Sequence, residues 1–139
     1  MDEYRFLTLE EVLELHEMQL ERYGGALGIR DSGLLESAVM MAQASFGGAY
    51  VHTDIYEMAA AYAFHIAENQ PFIDGNKRTA LSAALVFLDW HRIELNDSDD
   101  ELYDAMIHLA QKKVDKAGLA RLFQKLAKFA QNTERSDNV

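Results

Sequence analysis

Two stretches of this chain, 58–64 and 80–88, are apolar on nearly every face, and the only proline in the 139 residues, Pro71, falls between them. Helices apolar all round must be buried, and a proline-poor chain has few places where a helix is forced to stop. No alternating strand pattern competes with this reading, so an all-α fold is expected. Start signals divide the chain into about six helices. Thr8-Leu9-Glu10-Glu11 is a capping box opening a helix with Leu9, Val12, Leu13, His16 and Leu20 on one side, and Gly24 is placed to end it. Asp31 or Ser32 caps a second helix through Leu34, Leu35, Ala38, Val39 and Met41, which dies out at Phe46-Gly47-Gly48. Thr53 or Asp54 starts the third, Ile55 to about Asn69, and the fourth runs from about Lys77 to His91. Ser98-Asp99-Asp100-Glu101 is a second capping box for a helix with Leu102, Met106 and Leu109 inward. Asp115 caps a sixth helix bearing Leu119, Leu122, Phe123, Leu126 and Phe129, and the polar tail 131–139 is expected to fray. The architecture predicted is one bundle over 1–130, centred on the antiparallel third and fourth helices.

Composition narrows the function classes. The net charge of −10 repels phosphate backbones at long range, so nucleic-acid binding is not expected. There is no cysteine, hence no disulfide, thiolate metal site or cysteine nucleophile, and a reducing cytoplasm is the expected compartment. No apolar run approaches the roughly 18 residues of a membrane span, so no membrane partner is expected. Histidines 52, 91 and 108 share no metal-ligand spacing, and His65 reads as a core histidine. The acidic run 96–101 suits a helix start better than a calcium loop, and Gly24-Gly25-Ala26-Leu27-Gly28 follows a helix, so it is a turn and not a dinucleotide fingerprint.

One segment resists a purely structural explanation. Lys77 and Arg78 stand in the first turn of the fourth helix, where each cation is unfavourable by about 0.3 to 1 kcal/mol. Elsewhere the chain puts acids at such places, as at Glu10, Glu11, Asp99 and Asp100. An anion accounts for the exception. The N–H groups of residues 76–79, a Gly75-Asn76 turn able to form a nest, and two cationic side chains would converge on a phosphate. Gly75, Asn76, Lys77, Arg78 and Thr79 are therefore the candidate phosphate-binding set. Asp74 supplies a carboxylate of the kind that holds Mg2+ against a polyphosphate. Pro71 stiffens the approach to the loop, and Phe72 is expected to anchor it in the core. The bland alternative, a surface Asp-Gly-Asn turn with solvated cations, leaves the charge placement unexplained.

At these residues the chain resembles the Fic/Doc family, whose signature reads His-Pro-Phe-x-(Asp/Glu)-Gly-Asn-Gly-Arg-x-x-Arg. Here the run is Gln70-Pro71-Phe72-Ile73-Asp74-Gly75-Asn76-Lys77-Arg78-Thr79-Ala80-Leu81. The segments 29–38 and 63–69 extend the likeness, which covers most of residues 4–130. Lys77 in place of the glycine and Leu81 in place of the second arginine match the Doc, or death-on-curing, branch. The resemblance implies the toxin of a Phd-Doc-type toxin–antitoxin pair, with ATP and Mg2+ as cofactors and a Phd-type antitoxin as partner. The activity implied is a protein kinase that passes the γ-phosphoryl group to a threonine of elongation factor Tu. Catalytic roles carry over to position 70 (the base), Asp74, Lys77 and Arg78. The family's histidine is Gln70 here, which takes no proton at neutral pH, and losing a general base costs on the order of 10² to 10⁴ in rate. Impaired catalysis is expected, whether Gln70 is a substitution in an active toxin or a natural loss. Two rival readings stay open: transfer of AMP instead of phosphoryl, and a silent module that binds nucleotide or antitoxin.

Overall fold

In the computed structural model the chain is a bundle of α-helices with one small hairpin; residues 4–97 and 100–137 are described, with side chains through Ala127. The helices are α1 (Leu9–Tyr23), α2 (Ser32–Met40), α3 (Ile55–Asn69), α4 (Asn76–Trp90), α5 (Glu101–Ala110) and α6 (Lys116–Asp137), as the sequence leads one to expect in number and order. Thr8 accepts from the Glu11 N–H while Glu11 reaches back to the Thr8 N–H, and Gly24, at φ 82°, closes α1 by donating to the Leu20 carbonyl. The caps of α2, α3 and α6 are Asp31, Asp54 and Asp115, accepting from the N–H groups of Leu34, Glu57 and Gly118.

The centre is the pair α3 and α4, packed lengthwise and joined by residues 70–75, with α6 and α2 against α3 and α1 against α4. Met58 through Ala63 have no exposed surface, and Ala80, Ala83, Ala84, Phe87 and Leu88 meet them from α4. Alanines let the two backbones come close, while Tyr62 and Phe87 fill the larger gaps with rings 5.4 Å apart.

Three local expectations change. After α2 a 3₁₀ turn (Met41–Gln43) leads into two strands, β1 (Ser45–Phe46) and β2 (Ala49–Tyr50), paired antiparallel around Gly47 and Gly48. Both glycines have positive φ, 59° and 83°, which a two-residue hairpin turn requires, and strands of two residues are too short to show alternation. At α5 the expected capping box involves Ser98 and Asp99, which lie outside the described residues. The N-cap is Asp100, in the left-handed region and without a side-chain cap bond; the Asp97 carboxylate accepts from the Leu102 N–H at 3.1 Å instead. Finally, the backbone of α6 runs on through the expected tail to Asp137, since no glycine or proline follows Gly118.

Candidate active site

The loop between α3 and α4 is held from below by a ring stack and from the side by a second chain segment. Phe72 is 1% exposed and lies face to face with His16 of α1, centroids 3.7 Å apart and planes 7° apart. The Nε2–H of His16 donates to the Asp74 carbonyl at 2.8 Å, a bond that fixes the proton on Nε2 because a carbonyl only accepts. On the flank, residues 28–31 pair with the loop. The Arg30 and Asp31 N–H groups donate to the Pro71 carbonyl at 2.6 and 3.1 Å, and the Ile73 N–H donates to the Gly28 carbonyl at 3.1 Å. The Arg30 side chain donates through Nε and Nη2 to the carbonyls of Gln70 and Asn69, both at 2.7 Å, and so satisfies the exposed end of α3.

Gln70 itself sits at φ 45°, ψ 56°, the left-handed region, as the C-cap of α3. A side chain there costs about 1 to 2 kcal/mol relative to the right-handed region. The Arg30 fork and the Pro71 pairing over-determine the backbone and keep it there, with the amide side chain exposed on the cavity wall.

Asn76 closes the loop on itself. Its Oδ1 accepts from the Phe72 N–H at 2.9 Å and its Nδ2 donates to the Phe72 carbonyl at 3.0 Å. The side chain is thus a brace, and what Asn76 offers an anion is its backbone N–H. Gly75 caps α4 at φ 81°, so the backbone conformation favours glycine, while a Cβ there would only touch Leu20 at 3.4 Å and the His16 ring at 3.5 Å. No side chain caps α4, and the N–H groups of Asn76, Lys77 and Arg78 have no hydrogen-bond partner among the described residues.

These groups open onto a cavity of about 570 Å³ lined by Gln70, Asp74, Gly75, Asn76, Lys77 and Arg78 from the loop side. Gln19, Tyr23, Glu68, Tyr103 and Lys112 line it too. Arg78 lies between two rings, its guanidinium carbon 3.7 Å from the Tyr23 centroid and 4.5 Å from that of Tyr103. Stacking orients the guanidinium without neutralising it, since neither ring carries a negative charge. Lys77 makes no ion pair among the described residues. The Asp74 carboxylate accepts from the Ala26 N–H through Oδ2 at 2.7 Å, and its Oδ1 has no partner among the described residues. One free carboxylate oxygen beside unpaired N–H groups and two cations is a donor set that fits Mg2+ with phosphate.

Thr79 stands apart from the other expected phosphate ligands. Its N–H already donates to the Gly75 carbonyl at 3.0 Å, its side chain has no exposed surface, and it does not line the cavity. It lies one turn into α4, where the intrahelical bonds begin, so neither its N–H nor its side chain is presented to the cavity as those of Lys77 and Arg78 are. Conversely, His16 and Arg30 brace the loop and Tyr23 and Tyr103 hold Arg78, roles that the local sequence pattern does not announce. For His16 a signal existed, a titratable group on the buried stripe of α1. Arg30 acts across 40 residues and leaves no periodic trace.

The Fic/DOC family model matches residues 6–88. The chain is 34% identical over 122 residues to "Protein kinase doc" of Escherichia phage P1, covering 88% of this chain and 95% of that protein. It is 36% identical over 127 residues to "Toxin Doc" of Mycolicibacterium smegmatis, covering 90% and 93% respectively. With the loop at 70–78 built as described and a match that spans more than half its length, this chain belongs to the Fic/DOC family.

Proposed function

We propose that this chain is a Doc-type toxin whose cavity takes ATP with Mg2+ and whose chemistry, with a base at position 70, is phosphoryl transfer to a protein hydroxyl. Elongation factor Tu is the proposed target, a Phd-type antitoxin the proposed partner, and the cytoplasm the proposed site of action. The observation that carries the reading is the α4 N-terminus, where N–H groups without a hydrogen-bond partner and the cations Lys77 and Arg78, without a carboxylate partner among the described residues, line one cavity. The names of the two relatives, one a kinase and both Doc proteins, support the same direction.

In this reading the backbone N–H groups of residues 76–78 and the Lys77 ammonium bind phosphate oxygens, and Arg78 faces the charge that builds up during transfer. Asp74 would hold Mg2+, which when bound neutralises phosphate charge. The nucleophilic hydroxyl lies against position 70, where the Gln70 amide orients it by hydrogen bonding but leaves its proton in place at neutral pH. Binding is therefore retained and turnover is low. AMP transfer is the second reading. Lys77 and Leu81 weigh against it, for Leu81 packs half-buried against the core where the adenylyl-transferring pattern has an arginine. A silent binding module is the third, and Gln70 is the residue that favours it.

Titrating the protein with ATP and Mg2+ while following its melting temperature tests the reading. Ligand at about 100 times Kd stabilises by about 2.7 kcal/mol, a shift of several degrees, and Lys77→Ala should reduce it. No shift at millimolar ATP in the unaltered chain would overturn the nucleotide reading.

A further inference from the structure

A third cation lines the cavity and is the only one of the three with a carboxylate partner among the described residues. Lys112 Nζ lies 2.7 Å from both carboxylate oxygens of Glu68, 44 residues away, joining the end of α5 to the last turn of α3. Both side chains line the same cavity as Lys77 and Arg78, and Glu68 stands two residues before Gln70. The Lys112 side chain is 72% exposed, and such an ion pair contributes between about 0 and 1 kcal/mol. That return is poor for the place it occupies. Lys112 follows the C-cap Gln111 at φ 63°, a left-handed position usually filled by glycine or asparagine.

We propose that Lys112 is a third phosphate-binding cation of the cavity and that Glu68 holds it in place until a polyphosphate takes it over. The proposal rests on the nucleotide reading above. A carboxylate and a phosphate offer an ammonium the same charge-assisted hydrogen bonds, and a polyphosphate already bound by Lys77 and the α4 N–H groups presents more negative charge than one carboxylate. Lys112 is exposed and carried on a flexible four-carbon stem, so its ammonium can leave Glu68 by rotamer changes alone. Glu68 has the opposite effect on the ligand: it competes for Lys112 and adds negative charge to the wall that the phosphates approach. The two members of one ion pair therefore have opposite signs in ligand binding.

That opposition is the test. ATP with Mg2+ is titrated calorimetrically into the unaltered chain, Glu68→Gln, Lys112→Ala, the double variant and Lys77→Ala, with folding checked by circular dichroism. Glu68→Gln should bind roughly two- to fivefold more tightly and Lys112→Ala more weakly by a similar factor, as expected for one exposed charge contact. The double variant should match Lys112→Ala, because Glu68 acts chiefly through the lysine. If both single variants weaken binding equally, or Lys112→Ala leaves it unchanged while Lys77→Ala abolishes it, Lys112 is only a structural tie and the inference is overturned with the nucleotide reading intact. If the unaltered chain binds no ATP, both fall together.

Discussion

Asn76 illustrates how a single side chain decides the shape of the loop. It exchanges two hydrogen bonds with the Phe72 backbone, so Asn76→Ala should leave an N–H and a carbonyl unpaired and destabilise the chain by about 1 to 3 kcal/mol. Urea denaturation measures this, and a loss below a few tenths would mean that water replaces the brace. Thr79 makes the opposite case. Its hydroxyl is buried with no partner among the described residues, so Thr79→Val, nearly the same shape, should be neutral or stabilising by up to about 1 kcal/mol. ATP affinity should not change; a clear loss would return Thr79 to the phosphate site. Charges in the wrong helix turn made Lys77 and Arg78 legible from sequence, and Asp74 and Gly75 came with them. The partners of the braces were not legible, even where the residue stood out as His16 does on the apolar side of α1, because His16 meets Asp74 across 58 residues and Arg30 meets Gln70 across 40. Contacts of that separation have no signature in a local pattern.

At the scale of helices the sequence was informative wherever a cap or an apolar face announced a boundary, as at Thr8, Asp31, Asp54 and Asp115. It was silent where two elements meet through polar side chains. The junction of α3 with α6 is such a place: Lys116 Nζ lies 3.0 Å from His52 Nε2 and 3.2 Å from His65 Nε2. An ammonium can donate to both rings only if both are neutral. Burial first, then the Lys116 charge and His52, push His65 from 6.5 down to about 4, against a smaller upward pull from Glu68. His52 is lowered by burial and then by Lys116, with Glu57 opposing. Since the folded value lies below the unfolded one, the unfolded chain binds more protons between them. The contribution is intact above about pH 6.5 and is lost as pH falls toward 4. Allowing for the partial exposure of His65, the loss should be on the order of 1 to 2 kcal/mol. Melting temperatures from pH 7 to 4.5 should fall less steeply for His65→Gln than for the unaltered chain; parallel curves would show that this junction does not titrate.

Over the whole molecule, an acidic protein of net charge −10 presents a cavity lined by three cations, Lys77, Arg78 and Lys112. No helix among the described residues is long and apolar enough to cross a membrane. The bundle supplies what a phosphate site requires: a helix start aimed at the cavity, a loop pinned by Phe72 in the core, and little freedom left for either to move. What it lacks is a proton acceptor at position 70. Restoring one is the most direct trial of the account. Gln70→His should gain transfer activity by roughly 10² to 10⁴. With ATP labelled at the γ- or the α-phosphate and elongation factor Tu as acceptor, label should pass from the γ-position alone. Label arriving from the α-position, or no label from either while ATP demonstrably binds, would contradict the claim that this site is built for phosphoryl transfer.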